Sequence, residues 1–240
     1  MKRIKPAFIL GITLLLTGCL YPEDRLAKNQ VPNEVQLQTV QEAVVQFQEA
    51  SDGLLPIKTR HSDTPIFQKY PVDFEKLREY NLMGRAPGNS FEEGGKYQYV
   101  IIHPETEPTV KVIDLRMAAE LRKMNTLIEI YRNEHIYPPF GKQVAEGIYR
   151  LNHESLGLET EPYVESPYSG QPLPIVLNVQ GEIFIDYSRD LYQALQKFEH
   201  EYEYGDDIRY ILAENYPFVP AYSLPYTIQD GEPVFMEPQS

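Results

Sequence analysis

The sequence predicts an α+β fold made of tandem repeats. Each repeat is an amphipathic helix followed by an antiparallel β-hairpin, and a partial third copy closes the chain. Apolar residues recur at helical spacing in several segments, and short apolar segments flank turn residues. The chain also resembles itself at an offset of about 80 residues. Helices that alternate with hairpins are typical of α+β domains rather than of doubly wound sheets.

Four helices are expected, and they begin at Asn33, Asp114, Asp190 and Asp207. Asn33 forms a capping-box pattern with Gln36, and Asp52-Gly53 provides a stop for the first helix. The second helix extends to about Asn133, and the fourth is short. Each longer helix carries one apolar stripe that we interpret as core: Leu37, Val40, Val44 and Phe47; Met117, Leu121, Met124, Ile128 and Tyr131; Leu191, Leu195, Phe198 and Tyr202.

Three antiparallel hairpins are expected. Their strands cover Lys96–His103 with Thr109–Ile113, Ile175–Val179 with Ile183–Asp186, and Tyr226–Gln229 with Val234–Met236. A polar turn, Pro-Glu-Thr-Glu-Pro, separates the first two strands, and Gln180-Gly181 joins the second pair. The third pair has the weakest pattern.

The internal repeat depends on aligned landmarks in two stretches of the chain. Tyr70–Leu77 (YPVDFEKL) aligns with Tyr149–Leu156 (YRLNHESL), and Asp114-Leu115 aligns with Asp190-Leu191 at the start of the next helix. The predicted units are a first repeat at 33–113, a second at 114–189 and a partial third at 190–240, within one compact domain over 33–240. The alternative is that any two helix-and-hairpin units show such similarity without duplication.

The partial third copy is predicted from a second alignment. Leu173–Asp186 (LPIVLNVQGEIFID) and Leu224–Glu237 (LPYTIQDGEPVFME) both begin Leu-Pro, continue with apolar residues and turn at Gly-Glu. Stacked repeats bury faces that a single copy leaves exposed, so the copies are expected to share one core.

The N-terminus has the pattern of an export signal with a lipobox. Three basic residues precede an apolar stretch at Ala7–Leu16, which is too short to cross a bilayer as a helix. The stretch ends in a lipobox and the only cysteine of the chain: Leu16, Thr17, Gly18 and Cys19. We therefore predict a signal peptide at 1–18 and a lipidated Cys19 with its tether at 19–32. An uncleaved N-terminal anchor is the alternative.

Composition excludes several classes of function. Removal of residues 1–18 takes away three of the 22 Lys and Arg and none of the 35 Asp and Glu, so the mature chain carries a formal charge of −16. A chain this acidic is not expected to bind nucleic acid. With Cys19 acylated, the chain has no thiol for a disulfide, a nucleophile or a cysteine-based zinc site.

No catalytic, cofactor-binding or metal-binding pattern is found. The five histidines show no His-Glu-x-x-His spacing, and neither a nucleophile elbow nor a phosphate loop occurs. We therefore expect no cofactor and no metal. The acidic residues over Glu199–Asp207 lack calcium-loop spacing, which favours a solvated face over a cation site. Six tyrosines in or near the hairpins suit strands and could also stack on sugars or wall polymers: Tyr97, Tyr99, Tyr163, Tyr168, Tyr222 and Tyr226.

Several segments resemble a known family. The lipobox, the GLLPI segment after the first helix, TPIFQKYPVDFEKL, GGKYQYV and the YPPF turn are together similar to Bacillus-type lipoproteins of the YphF-like family. The resemblance covers most of the mature chain. It implies an envelope lipoprotein and supplies no catalytic residues; for some members it implies association with a transporter.

These observations predict a lipoprotein held on the outer face of the cell membrane through acylated Cys19. The expected role is a non-catalytic interaction or scaffold module that binds an envelope protein. A solute-binding lipoprotein associated with an ABC transporter is the alternative, and an envelope hydrolase is a third class. The small-molecule ligand, if there is one, is not specified by the sequence.

Overall fold

Helices and antiparallel sheets alternate along residues 34–236, the part of the chain that the computed structural model describes. This architecture confirms the predicted α+β class. The lipobox residues Leu16, Thr17 and Gly18, the lipidation residue Cys19 and the cap residue Asn33 lie outside the described residues. Among the described residues, none of the helices combines the length and the hydropathy that a bilayer span requires.

The bounds of the elements within 34–236 are as follows. The α-helices are α1 (Glu34–Ala50), α2 (Phe74–Glu79), α3 (Leu115–Glu134), α4 (Ser188–Lys197) and α5 (Tyr210–Asn215). The strands are β1 (Tyr97–Ile102), β2 (Thr109–Asp114), β3 (Phe140–Ala145), β4 (Ile148–Leu151), β5 (Tyr163–Glu165), β6 (Pro172–Asn178), β7 (Ile183–Ile185), β8 (Tyr226–Gln229) and β9 (Glu232–Phe235).

The first two predicted helices are α1 and α3, whose described ends lie close to the predicted residues, whereas α2 is not predicted. Asp52 and Gly53 both adopt positive φ angles, 55° and 88°, which no regular α-helix tolerates, so α1 stops before them. Asp114 caps α3, because its Oδ1 accepts a hydrogen bond from the Arg116 backbone N–H at 3.0 Å. The stop at Asp52-Gly53 and the cap at Asp114 are both short-range signals, because backbone sterics and a local hydrogen bond are sufficient to fix these helix ends.

The prediction that Asp190 and Asp207 open helices is wrong. The third helix, α4, begins at Ser188, after Asp186 Oδ1 accepts a hydrogen bond from the Ser188 backbone N–H at 3.0 Å. It ends at Lys197, so the expected stripe residues Phe198 and Tyr202 pack on the core from beyond the helix. The fourth, α5, begins at Tyr210 rather than at Asp207.

Asp190 has a structural role inside α4. Its side chain is buried and accepts hydrogen bonds from the Ser166 hydroxyl (2.7 Å) and the Ser169 hydroxyl (2.6 Å) in the turn before β6. Burial raises the pKa of Asp190, and the two serine hydroxyls lower it. Asp190 therefore ties α4 to the 166–170 turn instead of opening the helix.

The three predicted hairpins are present as β1–β2, β6–β7 and β8–β9, all antiparallel. Three further strands, β3, β4 and β5, are not predicted from the sequence; they extend the second hairpin to a five-stranded sheet of order β3-β4-β6-β5, with β7 on β6. Its outer strand, β3, is largely exposed, and its register with β4 shifts twice. An exposed, irregular strand lacks the alternation from which strands are recognised.

In residues 34–114, short extended segments pair with one another and then with the β1–β2 hairpin. Isolated bridges join Ile57 to Val72 and Pro71 to Val100, so that two short extended segments lie beside the β1–β2 hairpin. Helix α1 packs on this hairpin through Val40, Val44 and Phe47, as the apolar stripe predicted. A second core forms where α3 and α4 pack against β6.

Residues 217–219 pair with β2 through backbone hydrogen bonds. The Val112 N–H donates to the Pro217 carbonyl oxygen at 3.0 Å, and the Val219 N–H donates to the Val112 carbonyl oxygen at 3.1 Å. The buried Lys111 Nζ donates to the carbonyl oxygens of Glu214 and Tyr216 at the end of α5. The chain after α5 thus lies along the open edge of β2, and this course carries residues 220–223 to the N-terminus of α3.

Candidate functional site

A cavity of about 620 Å³ lies at the N-terminal end of α3, between residues 60–68, the start of β1 and the loop after α5. Four cationic side chains line it, and we call it the basic pocket: Arg60, Lys96, Arg116 and Arg122. Its polar lining residues are Thr64, Gln68 and Gln98, and its apolar ones are Phe91, Leu115, Ala118, Ala119 and the ring of Tyr222.

The charge of the basic pocket is opposite to that of the chain, whose formal net charge is −13. No carboxylate is among the lining residues that the structure describes. Within 34–236, Arg60, Lys96 and Arg122 form no ion pair, whereas Arg116 Nε donates to the buried Asp114 Oδ1 at 2.9 Å. Three cations are therefore left available to a ligand.

Helix α3 supplies the wall and two of the cations. Leu115, Ala119 and Arg122 follow one another at spacings of four and three residues, which places them on one helix face. The small side chain of Ala119 leaves room above that face. The positive end of the α3 dipole lies at the same wall, and it favours an anion there.

Lys96 is positioned by a tight loop. The Gly95 N–H donates to the Ser90 carbonyl oxygen at 2.7 Å, and the Tyr97 N–H donates to the Asn89 carbonyl oxygen at 3.1 Å. A Cβ atom at Gly95 would lie 2.1 Å from the Asn89 carbonyl carbon and oxygen, so only glycine fits. The Lys96 carbonyl oxygen then accepts a hydrogen bond from the Leu115 N–H at 2.9 Å, which joins the loop to the start of α3.

Tyr222 is held in a backbone conformation that tyrosine rarely adopts, with a φ of 60°. Its carbonyl oxygen accepts a hydrogen bond from the Ile185 N–H at 2.8 Å. The Tyr187 hydroxyl donates to the Ala221 carbonyl oxygen, and Arg209 Nη1 donates to the Ser223 carbonyl oxygen, both at 3.1 Å. A left-handed non-glycine residue persists where its surroundings fix it, and such residues cluster at functional sites.

The phenol of Tyr222 faces the arginines of the basic pocket. Burial raises the pKa of Tyr222, while the charges of Arg122 and Arg60 lower it, and the net direction is upward. The hydroxyl therefore stays protonated at neutral pH. No side chain or backbone group in 34–236 hydrogen bonds to it, so it is available as a neutral donor.

The other predicted tyrosines do not join this site. Tyr97, Tyr99 and Tyr226 are buried core residues, and Tyr163 lies exposed on β5. Tyr168 is partly buried, and its hydroxyl has no partner in the described part of the chain. Tyr222 is thus the member of the predicted set that reaches the basic pocket. Over Glu199–Asp207, as elsewhere in 34–236, no cluster of His, Cys, Asp or Glu is arranged to hold a metal ion.

The four cations are not predicted as a site because they are dispersed in the chain. Lys96 is predicted only as the first residue of a strand, and Arg60 lies in an irregular loop. One signal could have been used: Arg116 and Arg122 flank a pair of alanines at the start of a helix in a strongly acidic chain. Guanidinium and ammonium groups around a small cavity are suited to binding an anion.

Comparison with known proteins gives a family match over about a third of the chain. Residues 33–114 match the YphF family N-terminal domain, which confirms the resemblance to YphF-like proteins. No curated protein and no solved structure matches the chain. The matched segment ends at Asp114, the last residue of β2, and it includes Arg60 and Lys96 of the basic pocket.

Proposed function

We propose that this chain, whose residues 33–114 form a YphF family N-terminal domain, is an extracytoplasmic module that binds an anionic group in its basic pocket. It is held to the cell membrane by acylated Cys19 and acts there as a non-catalytic interaction partner. The observation that carries the proposal is the concentration of four cations, three of them without an ion pair in 34–236, in one cavity of an acidic chain.

The charge contrast gives the site selectivity for its ligand. The acidic surface repels anions in general, whereas the local field of the basic pocket attracts an anionic group that approaches its mouth. An envelope protein that presents such a group is the preferred partner. Arginine and lysine side chains supply binding and orientation without themselves supplying a nucleophile, which favours a binding module over an envelope hydrolase.

A solute-binding role is the second candidate, and the size of the cavity favours it. About 620 Å³ lies within the range of small-molecule sites. In that case the anion would be a free solute passed to an ABC transporter, and not a group on an envelope protein. The two candidates differ in whether a small anion alone binds tightly.

A charge-neutralising variant tests anion binding. We expect one or more small anions from a panel of phosphate, sulfate and carboxylates to raise the Tm of the full chain by about 5–10 °C at 100 times Kd. The variant Arg60→Gln/Lys96→Gln/Arg122→Gln should weaken that binding by more than about 100-fold, since charge-assisted hydrogen bonds are lost. Calorimetry measures the affinity.

The control variant is Arg132→Gln/Lys142→Gln/Arg189→Gln, which removes the same charge from exposed positions outside the basic pocket. It should retain the affinity of the wild type. Equal weakening in both variants would mean that net charge, and not the pocket, attracts the anion. A panel in which no anion binds would overturn the proposal.

The membrane anchor is tested by Cys19→Ala. Two or three acyl chains hold a protein firmly to a bilayer, so loss of the thiol should move the protein from the membrane fraction to the soluble fraction. Fractionation with mass spectrometry of the N-terminal peptide measures this, and Asn29→Ala in the tether is the control. Native protein that retained Met1, or that lacked fatty acid on Cys19, would contradict the anchor.

We further propose that 33–113 and 114–189 are two copies of one unit. The order of pairing supports this, because in both units two consecutive segments pair side by side before the final hairpin; the second unit has β5 as an additional strand. Side chains at aligned positions also accept backbone hydrogen bonds from the residues that follow them: Asp73 Oδ1 accepts from the Glu75 N–H, and Asn152 Oδ1 accepts from the Ser155 N–H, one position further along. The β8–β9 hairpin would be the remnant of the third copy, over 190–240.

The start of the following helix supports the same duplication. Asp114 caps α3, and Asp186 receives the equivalent backbone hydrogen bond before α4, so Asp186 replaces Asp190 as the counterpart of Asp114. Asp207 and Arg209 repeat the pattern of Asp114 and Arg116, with the backbone N–H and the guanidinium both donating to the carboxylate.

A further inference from the structure

The donors of the basic pocket come from four separate parts of the chain. Arg60 lies in the loop after residue 57, Lys96 directly precedes β1, Arg116 and Arg122 lie on α3, and Tyr222 lies in the loop after α5. Because these parts belong to different elements, the donors do not form one row along a single helix or strand.

This arrangement suits one class of anion better than others. A carboxylate is planar, accepts hydrogen bonds mainly in its own plane and carries one charge. A phosphoryl group presents three oxygens in different directions and carries a charge of about −1.5 to −2 near neutral pH. Three unpaired cations and a helix N-terminus match the larger charge and the three-dimensional set of acceptors.

The apolar lining indicates that the phosphoryl group is attached to a carrier. Phe91 is 65% exposed at the rim, beside Leu115 and the ring of Tyr222. Inorganic phosphate would leave these apolar surfaces in water. An ester, by contrast, could place its phosphate among the cations and its carbon skeleton against the rings.

We propose that the ligand is a phosphate ester and that the Tyr222 hydroxyl is the neutral donor that distinguishes it from a carboxylate; this inference rests on the proposed function. The backbone of Tyr222 is held by three hydrogen bonds to the carbonyl oxygens of residues 221–223, which fixes the point from which its side chain extends to the pocket. A preformed donor adds selectivity, because an anion that cannot reach it leaves it unpaired.

The test compares anions of similar charge on the full chain by calorimetry. Pyrophosphate should bind at least about tenfold more tightly than citrate. Tyr222→Phe should weaken pyrophosphate binding about tenfold and leave citrate binding unchanged, whereas Tyr204→Phe, at a tyrosine that is 72% exposed, should change neither. The wild-type comparison of the two anions does not depend on how either variant folds.

Two further probes identify the source of the ester. Glucose 1-phosphate represents a soluble sugar phosphate, and phosphatidylcholine vesicles with 20% phosphatidic acid, against phosphatidylcholine alone, represent a lipid headgroup. Binding of either ester supports the inference. Equal affinity for pyrophosphate and citrate, or binding of neither ester, would overturn it while anion binding in the basic pocket still stood. Failure of every anion would instead overturn the proposed function.

Discussion

Replacing Gly95 with alanine is expected to lower the free energy of unfolding by about 3 kcal/mol or more, because the new Cβ would overlap backbone atoms. The overlap is with the Asn89 carbonyl group, 2.1 Å from the Cβ position, and a carbonyl cannot rotate away as a flexible side chain can. The loop must open, and the hydrogen bonds from Gly95 and Tyr97 to residues 89–90 are then lost.

Thermal unfolding measures the effect, and Gly88→Ala is the matched control. Gly88 has no atom within 4 Å of its Cβ position, and its φ lies outside the left-handed region. Its substitution should change stability by less than about 1 kcal/mol, whereas Gly95→Ala should lower Tm by about 6–12 °C. Equal melting temperatures for Gly95→Ala and the wild type would contradict the described loop.

Gly95→Ala should also weaken anion binding in any fraction that remains folded, because Lys96 follows the loop. Affinity measured well below Tm separates this effect from unfolding. A variant with lower stability but unchanged anion affinity would show that Lys96 is not a ligand-binding residue.

Leu177→Ala is expected to cost about 3 kcal/mol through loss of core packing. Leu177 is fully buried on β6, where it pairs with Tyr149 of β4 and with Ile183 of β7. Neighbours on both sides are held by the sheet, so they cannot collapse into the space that the leucine leaves. The remaining cavity therefore adds to the loss of apolar burial.

Denaturant unfolding measures this loss, with Leu54→Ala as the same substitution at a position that is 67% exposed. The control should change the free energy of unfolding by less than about 0.5 kcal/mol. Similar values for the two variants would contradict the placement of β6 at the centre of the sheet.

The elements predicted correctly are those with local signals. The stripes of α1 and α3 and the hairpins around residues 104–108 and 180–181 depend on neighbouring residues, so periodicity and turn chemistry are sufficient to locate them. Tyr131 is the exception in the α3 stripe, since it stacks on His135 near the end of the helix and is not part of the core. Strand β3 was missed because its neighbour β4, and not its own apolar pattern, holds it in place. Asp190 was misassigned because an aspartate near the start of a helix can either cap the helix or accept hydrogen bonds from buried hydroxyl groups.

The basic pocket could not be predicted in this way. Its residues have no common motif, and Arg60 and Tyr222 come together only because the segment after α5 crosses to the edge of β2. The formal net charge of −13 does not reveal the pocket either, because it describes the whole chain and not one cavity. Tyr222 was among the candidate binding tyrosines, but no local signal separated it from the five others.

The hydrogen bonds between Val112 and residues 217–219 join the matched segment, 33–114, to a part of the chain outside it. A fragment that stopped at Asp114 would leave β2 with an unprotected border, open to the same strand of another molecule. It would also lack Tyr222 and the wall from α3. The segment that matches the YphF family N-terminal domain therefore relies on residues 217–219, which lie outside the match, to cover the edge of β2.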